Sequence, residues 1–342
     1  MLSPLERHLP ELIRLEYLVR RHPARIRAKP LLEVRTAGLN LPVWELELGS
    51  EAPDAPTLGL FGGIHGMERI GSQILIAWLE SLSARLDWDD SLNDLFGRVR
   101  LVCMPMINIG GLYHSTRANP AGVDLMRNAP VEAEGFTAWP LGGQRLSRRL
   151  PWYRGRSGLM EPEAQALVRT VQERLLGQPF ALAMDCHSGF GFRDRIWFPW
   201  ANRREAPPHL PEAVALREVF NNTYPNHDFY LMEPQSLNYT THGDLWDYLY
   251  AGHLQGGSSA VFLPFTLEMG SWLWVKKNPR QLFDWFGHFN PVLPHRQKRV
   301  LRRHLTLFDF LLRATASWKK WLPRDAAQRD ALRIAGLERW YR

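Results

Sequence analysis

His65 and Glu68 lie three residues apart in the stretch FGGIHGMERIG (61–71). One helical turn puts side chains at that spacing on the same side, and Zn²⁺ accepts both imidazole and carboxylate ligands. The spacing alone is weak, because H-x-x-E occurs three times: His8 with Glu11, His65 with Glu68, and His209 with Glu212. The first and third both read HLPE, with a proline inside and polar helix-like surroundings, and are expected on solvated faces. Only His65 follows an apolar, strand-like run. There the glycines at 62, 63, 66 and 71 let the chain turn sharply at the carboxyl end of a strand, where open α/β sheets place their sites.

Those glycines do not form G-x-G-x-x-G, and no P-loop Lys-Ser/Thr follows, so phosphate binding loses its support. A serine-hydrolase elbow loses support too: the sequence has no G-x-S-x-G, and GGSSA (256–260) precedes a strand instead of following one.

A third ligand is available in MDCHSGFG, where His187 sits just past the apolar run FALAMDC. A histidine there could instead cap the strand by bonding to backbone. Two His and one Glu with an open fourth position is the donor set of a catalytic zinc, which activates water and polarises a carbonyl. Such a site needs a proton acceptor. Glu268 ends the apolar run AVFLPFTLEM, a partly desolvated position that suits a general base, the alternative being a surface carboxylate at a strand end.

These residues require strands that end together. TLGLFGGI, VRLVCMPMIN (99–108), FALAMDC and AVFLPFTLEM are short, nearly continuous apolar runs, as expected of strands covered on both faces. From Glu68 the apolar residues Ile70, Ile74, Leu75, Trp78, Leu79 and Leu82 recur at helical spacing, and MEPEAQALVRTVQERLL reads as a second helix entered through Pro162. LLEVRTAG and LPVWELELG read as an opening hairpin. Residues 130–158 and 200–244 read as long irregular segments, while QLFDWFGHF and RVLRRHLTLFDFLLRATASWKKWL read as amphipathic closing helices. The fold class is α/β: a single domain with a mixed, mostly parallel central sheet and helices on both faces. The expected organisation is an N-terminal helical segment (1–30), a catalytic domain (31–290) and a basic C-terminal helical extension (291–342) packed on or trailing it.

With 342 residues, 45% of them hydrophobic, and a mean hydropathy of −0.29, the chain can bury a sizeable core. The net charge of +7 is not spread evenly: residues 276–342 hold 16 Lys and Arg against 5 Asp and Glu, leaving the rest slightly acidic. A basic tail of this kind either solvates closing helices or binds an acidic partner such as nucleic acid or an anionic membrane surface. Cys103 and Cys186 lie in apolar runs and read as buried thiols, not a disulfide framework. No run is long and apolar enough for a membrane span, and the charged opening residues lack the apolar core of a signal peptide, so the protein is expected in the cytoplasm.

Taken in order, these pieces resemble the zinc carboxypeptidase family, the carboxypeptidase A-like metallocarboxypeptidases, from about Val34 to Phe283. GGIHGMERIG resembles the family's first metal motif and DCHSG its second, which implies one zinc per chain on His65, Glu68 and His187. TLEMG resembles the strand carrying the catalytic glutamate, which implies Glu268 as general base and then acid. STRANPAGVDLMRN resembles the segment of the substrate-binding arginines. By that match Arg117 stabilises the oxyanion, Arg127 and Asn128 bind the substrate's carboxylate end, and Asp124 orients the first histidine ligand. NYTTHGDLWDY resembles the segment that covers substrate, implying a closing role for Tyr239 and placing Trp246 near the floor of a side-chain pocket.

Two departures bear on substrate. Met126 replaces the asparagine that usually precedes the second arginine, removing an amide donor, and NIGG (108–111) replaces N-P-D-G. The expected activity is hydrolysis of an amide bond next to a carboxylate in a peptide or acylated amino acid. The alternatives are a cytoplasmic murein-peptide amidase or N-acyl amino acid deacylase on the same fold, and a non-catalytic protein that binds through its basic tail.

Overall fold

The apolar runs become the inner strands of one sheet in the computed structural model, which describes residues 3–342. Residues 1 and 2, the start of the expected N-terminal segment, lie outside the described residues. Helices α1 (Pro4–His8) and α2 (Pro10–Arg21) precede the hairpin β1 (Arg27–Thr36) and β2 (Leu39–Gly49). Strand β3 (Thr57–Gly62) runs through the glycine turn into α3 (Arg69–Arg85), followed by α4 (Asp90–Phe96), β4 (Arg100–Met104) and α5 (Ile109–His114). Next come α6 (Pro162–Arg174), β5 (Phe180–Ser188), β6 (Asp194–Phe198), α7 (Leu210–Thr223) and β7 (Tyr230–Pro234). Then follow α8 (Leu245–Gln255), β8 (Val261–Met269), α9 (Trp272–Lys277), α10 (Pro294–Ala316) and α11 (Ala326–Trp340).

The strand order is β1-β2-β4-β3-β5-β8-β6-β7. Strands β4, β3, β5 and β8 are mutually parallel; β2 joins β4 antiparallel on one side, and β6 joins β8 antiparallel on the other, carrying β7 parallel to itself. Every residue of β3, β4 and β5 is buried, which is why their sequences show no polar alternation. On one face α3 and α10 meet through Trp78 and Phe308, edge-on at 5.8 Å, and Trp78 Nε1 donates to Asp309 at 2.9 Å. On the other face Trp246 of α8 packs on Phe61 of β3 at 5.1 Å. The basic residues of α10 thus share a helix with Val300, Leu307, Phe308 and Leu311, all buried.

The glycine turn is set by close approach. A side chain at Gly71 would run into the Cys186 carbonyl of β5, and one at Gly66 into the backbone of Gly111. Their absence lets the start of α3 lie directly on β5.

Three expectations need correction. The run 99–108 is strand only to Met104, because Pro105 has no amide to continue the ladder and Asn108 caps α5 with its side chain. Segment 200–244 is not irregular throughout: it holds α7 and the edge strand β7. QLFDWFGHF forms only two short 3₁₀ turns, Pro279–Phe283 and Phe286–His288, since Phe283 and Trp285 bury too little to hold a longer helix and stay 94% and 62% exposed. Segment 130–158 has no helix or strand beyond one isolated bridge, Gln144 to Tyr153. Among the described residues no helix is long and apolar enough to cross a membrane.

Candidate active site

Four parallel strands stop along one line, and the turn and strand ends there carry the candidate residues. In the parallel register His187 of β5 stands directly opposite Glu268 of β8, and Asp185 opposite Thr266. Since side chains alternate, these four share one face while Met184, Cys186, Phe265 and Leu267 share the other.

His65, Glu68 and His187 are all buried, and one ligand atom from each lies within 4.8 Å of the others. His65 Nδ1 is 2.8 Å from Glu68 Oε1; His187 Nδ1 is 3.1 Å from Glu68 Oε2 and 3.2 Å from His65 Nδ1. The outer nitrogens are taken: His65 Nε2 lies 3.1 Å from Asp124 Oδ1, and His187 Nε2 lies 2.8 Å from Asp185 Oδ2. A carboxylate accepts only, so each Nε2 carries a proton, and each Nδ1 lies against Glu68 and would turn a lone pair inward once a metal ion displaced its proton. Two imidazole Nδ1 atoms and a carboxylate therefore face one another in a buried space. The three donors could hold a cation, and the set fits zinc.

The electrostatics point the same way. Burial opposes charge on Glu68, but the His65 charge and the hydrogen bonds from both histidines outweigh it and hold the carboxyl far below its ordinary value. For His187 burial likewise loses, to Asp185 and Glu68, and in the metal-free protein the imidazole is pushed well above 6.5. Burial of Asp124 is outweighed by Arg117 and His65, keeping it well below 3.8. Glu268 behaves oppositely: burial first, then repulsion from Glu68, push its carboxyl up to about 8. Its Oε1 accepts from Phe190 N at 2.9 Å, which aims the group without neutralising it.

A cavity of about 700 Å³ opens over this cluster and is lined by Arg117, Met126, Arg127, Tyr239, Asp244 and Glu268 among others. Arg117 Nε donates to Asp124 Oδ2 at 2.8 Å and its Nη1 reaches Glu68 Oε1 at 3.4 Å, placing a fixed cation beside the cluster. Arg127 is 3% exposed, yet among the described residues its Nε has no partner; its side chain makes a 3.5 Å contact to the Met126 carbonyl and lies against the Tyr239 hydroxyl. Asp244 caps α8 with Oδ1, bonding Trp246 N and Asp247 N, while its Oδ2 is buried without a partner. Arg127 and Asp244 both line this wall, where burial pushes the Asp244 carboxyl above its ordinary value and the Arg127 charge partly offsets it. Tyr239 sits beside them, packed on Phe190 and Trp197 at 5.8 and 5.9 Å.

A model of the zinc carboxypeptidase family matches residues 16–271. The chain belongs to that family. Its relatives include carboxypeptidase D of Drosophila melanogaster, 25% identical over 290 residues, which cover 73% of this chain and 19% of the relative. A second is carboxypeptidase D of Anas platyrhynchos, 24% identical over 54% of this chain, so the chain spans only 12–19% of the lengths of these relatives. The fold is that of solved family structures. Bovine thrombin-activatable fibrinolysis inhibitor matches 89% of this chain and 94% of its own, with TM-score 0.65 and 16% identity. Carboxypeptidase A from Helicoverpa armigera matches 89% and 71%, with TM-score 0.63 and 17% identity.

Two residues expected at the family's substrate pocket stand elsewhere. Trp246 does not line the cavity; its Nε1 donates to Asp185 Oδ2 at 3.0 Å, so it braces the carboxylate behind His187. Asn128 is also outside it: its amide donates to Arg154 O and Leu159 O and accepts from Glu161 N, pinning the start of α6 to the arginine segment. Sequence reasoning missed Asp185 and Asp244. The first had a signal, since D-C-H places Asp185 and His187 two apart on one face of a strand.

Proposed function

We propose that this protein is a zinc-dependent hydrolase of an amide bond next to a free carboxylate. The observation that carries the reading is the in-register pair of His187 and Glu268, which sets a proton acceptor beside a buried three-donor cation hole. A zinc ion held by His65, Glu68 and His187, one per chain, would supply Lewis acidity toward a carbonyl and a water acidic enough to lose its proton near neutral pH. Asp124 and Asp185 fix the two imidazoles as Nδ1 donors to that ion.

Glu268 takes the proton from the attacking water and passes it to the leaving amine, a transfer suited to a carboxyl whose affinity for protons is raised by burial. Arg117 faces the carbonyl oxygen as negative charge develops on it. Arg127, buried on the cavity wall beside Tyr239, holds the substrate carboxylate, and Tyr239 closes over it. An N-acyl amino acid or murein peptide is the second reading of the same site. It is favoured by Met126, which gives the wall beside Arg127 a thioether where an amide donor would serve an ordinary peptide C-terminus. We place the activity in the cytoplasm, a setting compatible with the two free, buried thiols.

The test is Glu268→Gln assayed on peptides, murein peptides and N-acyl amino acids with neutral, acidic and basic terminal residues. Zinc content should stay at one per chain while kcat falls about 10²–10⁴-fold. Wild-type-like turnover in the variant would sink the mechanism.

A further inference from the structure

On the opposite face of the sheet lies a second cavity, of about 330 Å³, closed by β7, α7, α10 and α11. That volume falls within the range of about 300–1,000 Å³ typical of small-ligand sites. Its floor is Met184 of β5 and Phe265 of β8, and its walls include Leu216, Phe310 and Trp340. The polar groups on its lining are mostly used. Glu233 is bound by Arg195 at 3.1 Å and Asn238 at 2.8 Å, and Tyr230 OH shares a 2.9 Å hydrogen bond with His304.

Asn221 and two arginines are the exceptions among the described residues. Arg217 of α7 and Arg339 of α11 both border the cavity, and neither forms a side-chain hydrogen bond or ion pair with a described residue. Burial, and next the charge of Arg339, lower the Arg217 guanidinium's hold on its proton, with Glu218 opposing them. Arg217 is half-buried and Arg339 exposed, so two cations stand at the rim of the apolar chamber, open to the charged end of a ligand. Both sit on well-anchored helices: Trp340 Nε1 donates to Met232 O at 3.0 Å, and Gly336 lets α11 press onto Leu210 and Val214 of α7.

We propose that this cavity binds a single-chain aliphatic carboxylate, with the alkyl chain on Met184 and Phe265 and the carboxylate between Arg217 and Arg339. The site is separate from the catalytic cavity and does not depend on the activity proposed above. Dodecanoate serves as the probe, titrated below its micelle concentration into full-length protein and followed by calorimetry and by NMR of ¹³C-methyl methionines. The assignment rests on which methyls move: Met184 and Met232 line this cavity, whereas Met67 and Met126 line the catalytic one.

The expected result is one saturable site that shifts Met184 and Met232 and leaves Met67 and Met126 unmoved. Affinity should rise about three- to fourfold per methylene from octanoate upward. Dodecanol should bind at least tenfold more weakly, and the surface variant R217Q/R339Q should lose a similar factor with its Tm unchanged. Absence of saturable binding overturns the proposal. So does binding that moves Met67 and Met126 instead, or binding that dodecanol and R217Q/R339Q leave unaltered.

Discussion

His65 with Glu68 and His209 with Glu212 share a spacing, a helix start and burial, since the two glutamates are 3% and 4% exposed. Their surroundings differ. Glu212 is paired with Arg329 of α11 at 3.0 Å, and His209 lies on Tyr250 at 5.6 Å with its Nδ1 unpartnered. Burial, followed by repulsion from His253 and Arg329, pushes that imidazole down to about 4, so it stays neutral. At the other pair every imidazole nitrogen meets an anion or a lone pair, and a second histidine arrives from β5. The same four-residue pattern is thus a packing joint where an arginine alone meets its carboxylate, and a candidate metal site where a second histidine joins Glu68 beside Arg117. His8 with Glu11 is a third version: Glu11 is buried and bound by Arg69 at 2.6 Å and Gln73 at 2.8 Å. The solvated faces expected for the first and third patterns are therefore wrong for their glutamates, which tie helices together.

The comparison breaks most directly on metal content. His65→Ala should remove bound zinc entirely, measured on purified protein, while His209→Ala keeps one zinc per chain; equal loss in both would erase the distinction. Acid stability is the next largest effect. His209 has a folded-state pKa below its ordinary 6.5, so the unfolded chain binds the proton more readily and stability drops as pH falls from about 6.5 toward 4. Between about pH 7 and pH 4.5, wild type should lose roughly 2–3 kcal/mol more than His209→Gln in urea unfolding. A parallel loss in both proteins would show that the ring is not neutral as described.

The bracing carboxylates give a smaller effect. Asp185→Asn should weaken zinc binding about 10–100-fold in competition with a chelator, because the amide no longer fixes the His187 tautomer. Trp246→Phe, one bond further out, should cost less than Asp185→Asn, and a larger loss would return Trp246 to the substrate pocket. Glu212→Gln should change stability by only about 1 kcal/mol, since Arg329 is 42% exposed and can turn to water.

The inner strands, the glycine turn and the residues at the strand ends were legible because fully buried strands leave unbroken apolar runs and the chemistry sits where they stop. Strands β6 and β7 were not. DRIWF is short and charged, and YLMEP carries a proline that an edge position tolerates, so neither shows strand periodicity. Trp246 was misplaced for a related reason. Distance along the chain from Tyr239 put it at a pocket floor, whereas the Asp244 cap starts α8 and directs the indole back toward β5. Asp244 was invisible as a wall residue because G-D-L reads fully as a helix cap, and the spare oxygen becomes evident only in three dimensions.

Because His187 and Glu268 are partners across adjacent parallel strands, their separation is fixed by the backbone ladder, about 4.8 Å between strands, and not by any loop. The sheet acts as a ruler for the chemistry. Loops around the mouth can lengthen, shorten or change sequence without altering that interval, whereas a single-residue insertion in β8 would turn Glu268 to the opposite face, away from the three candidate metal donors.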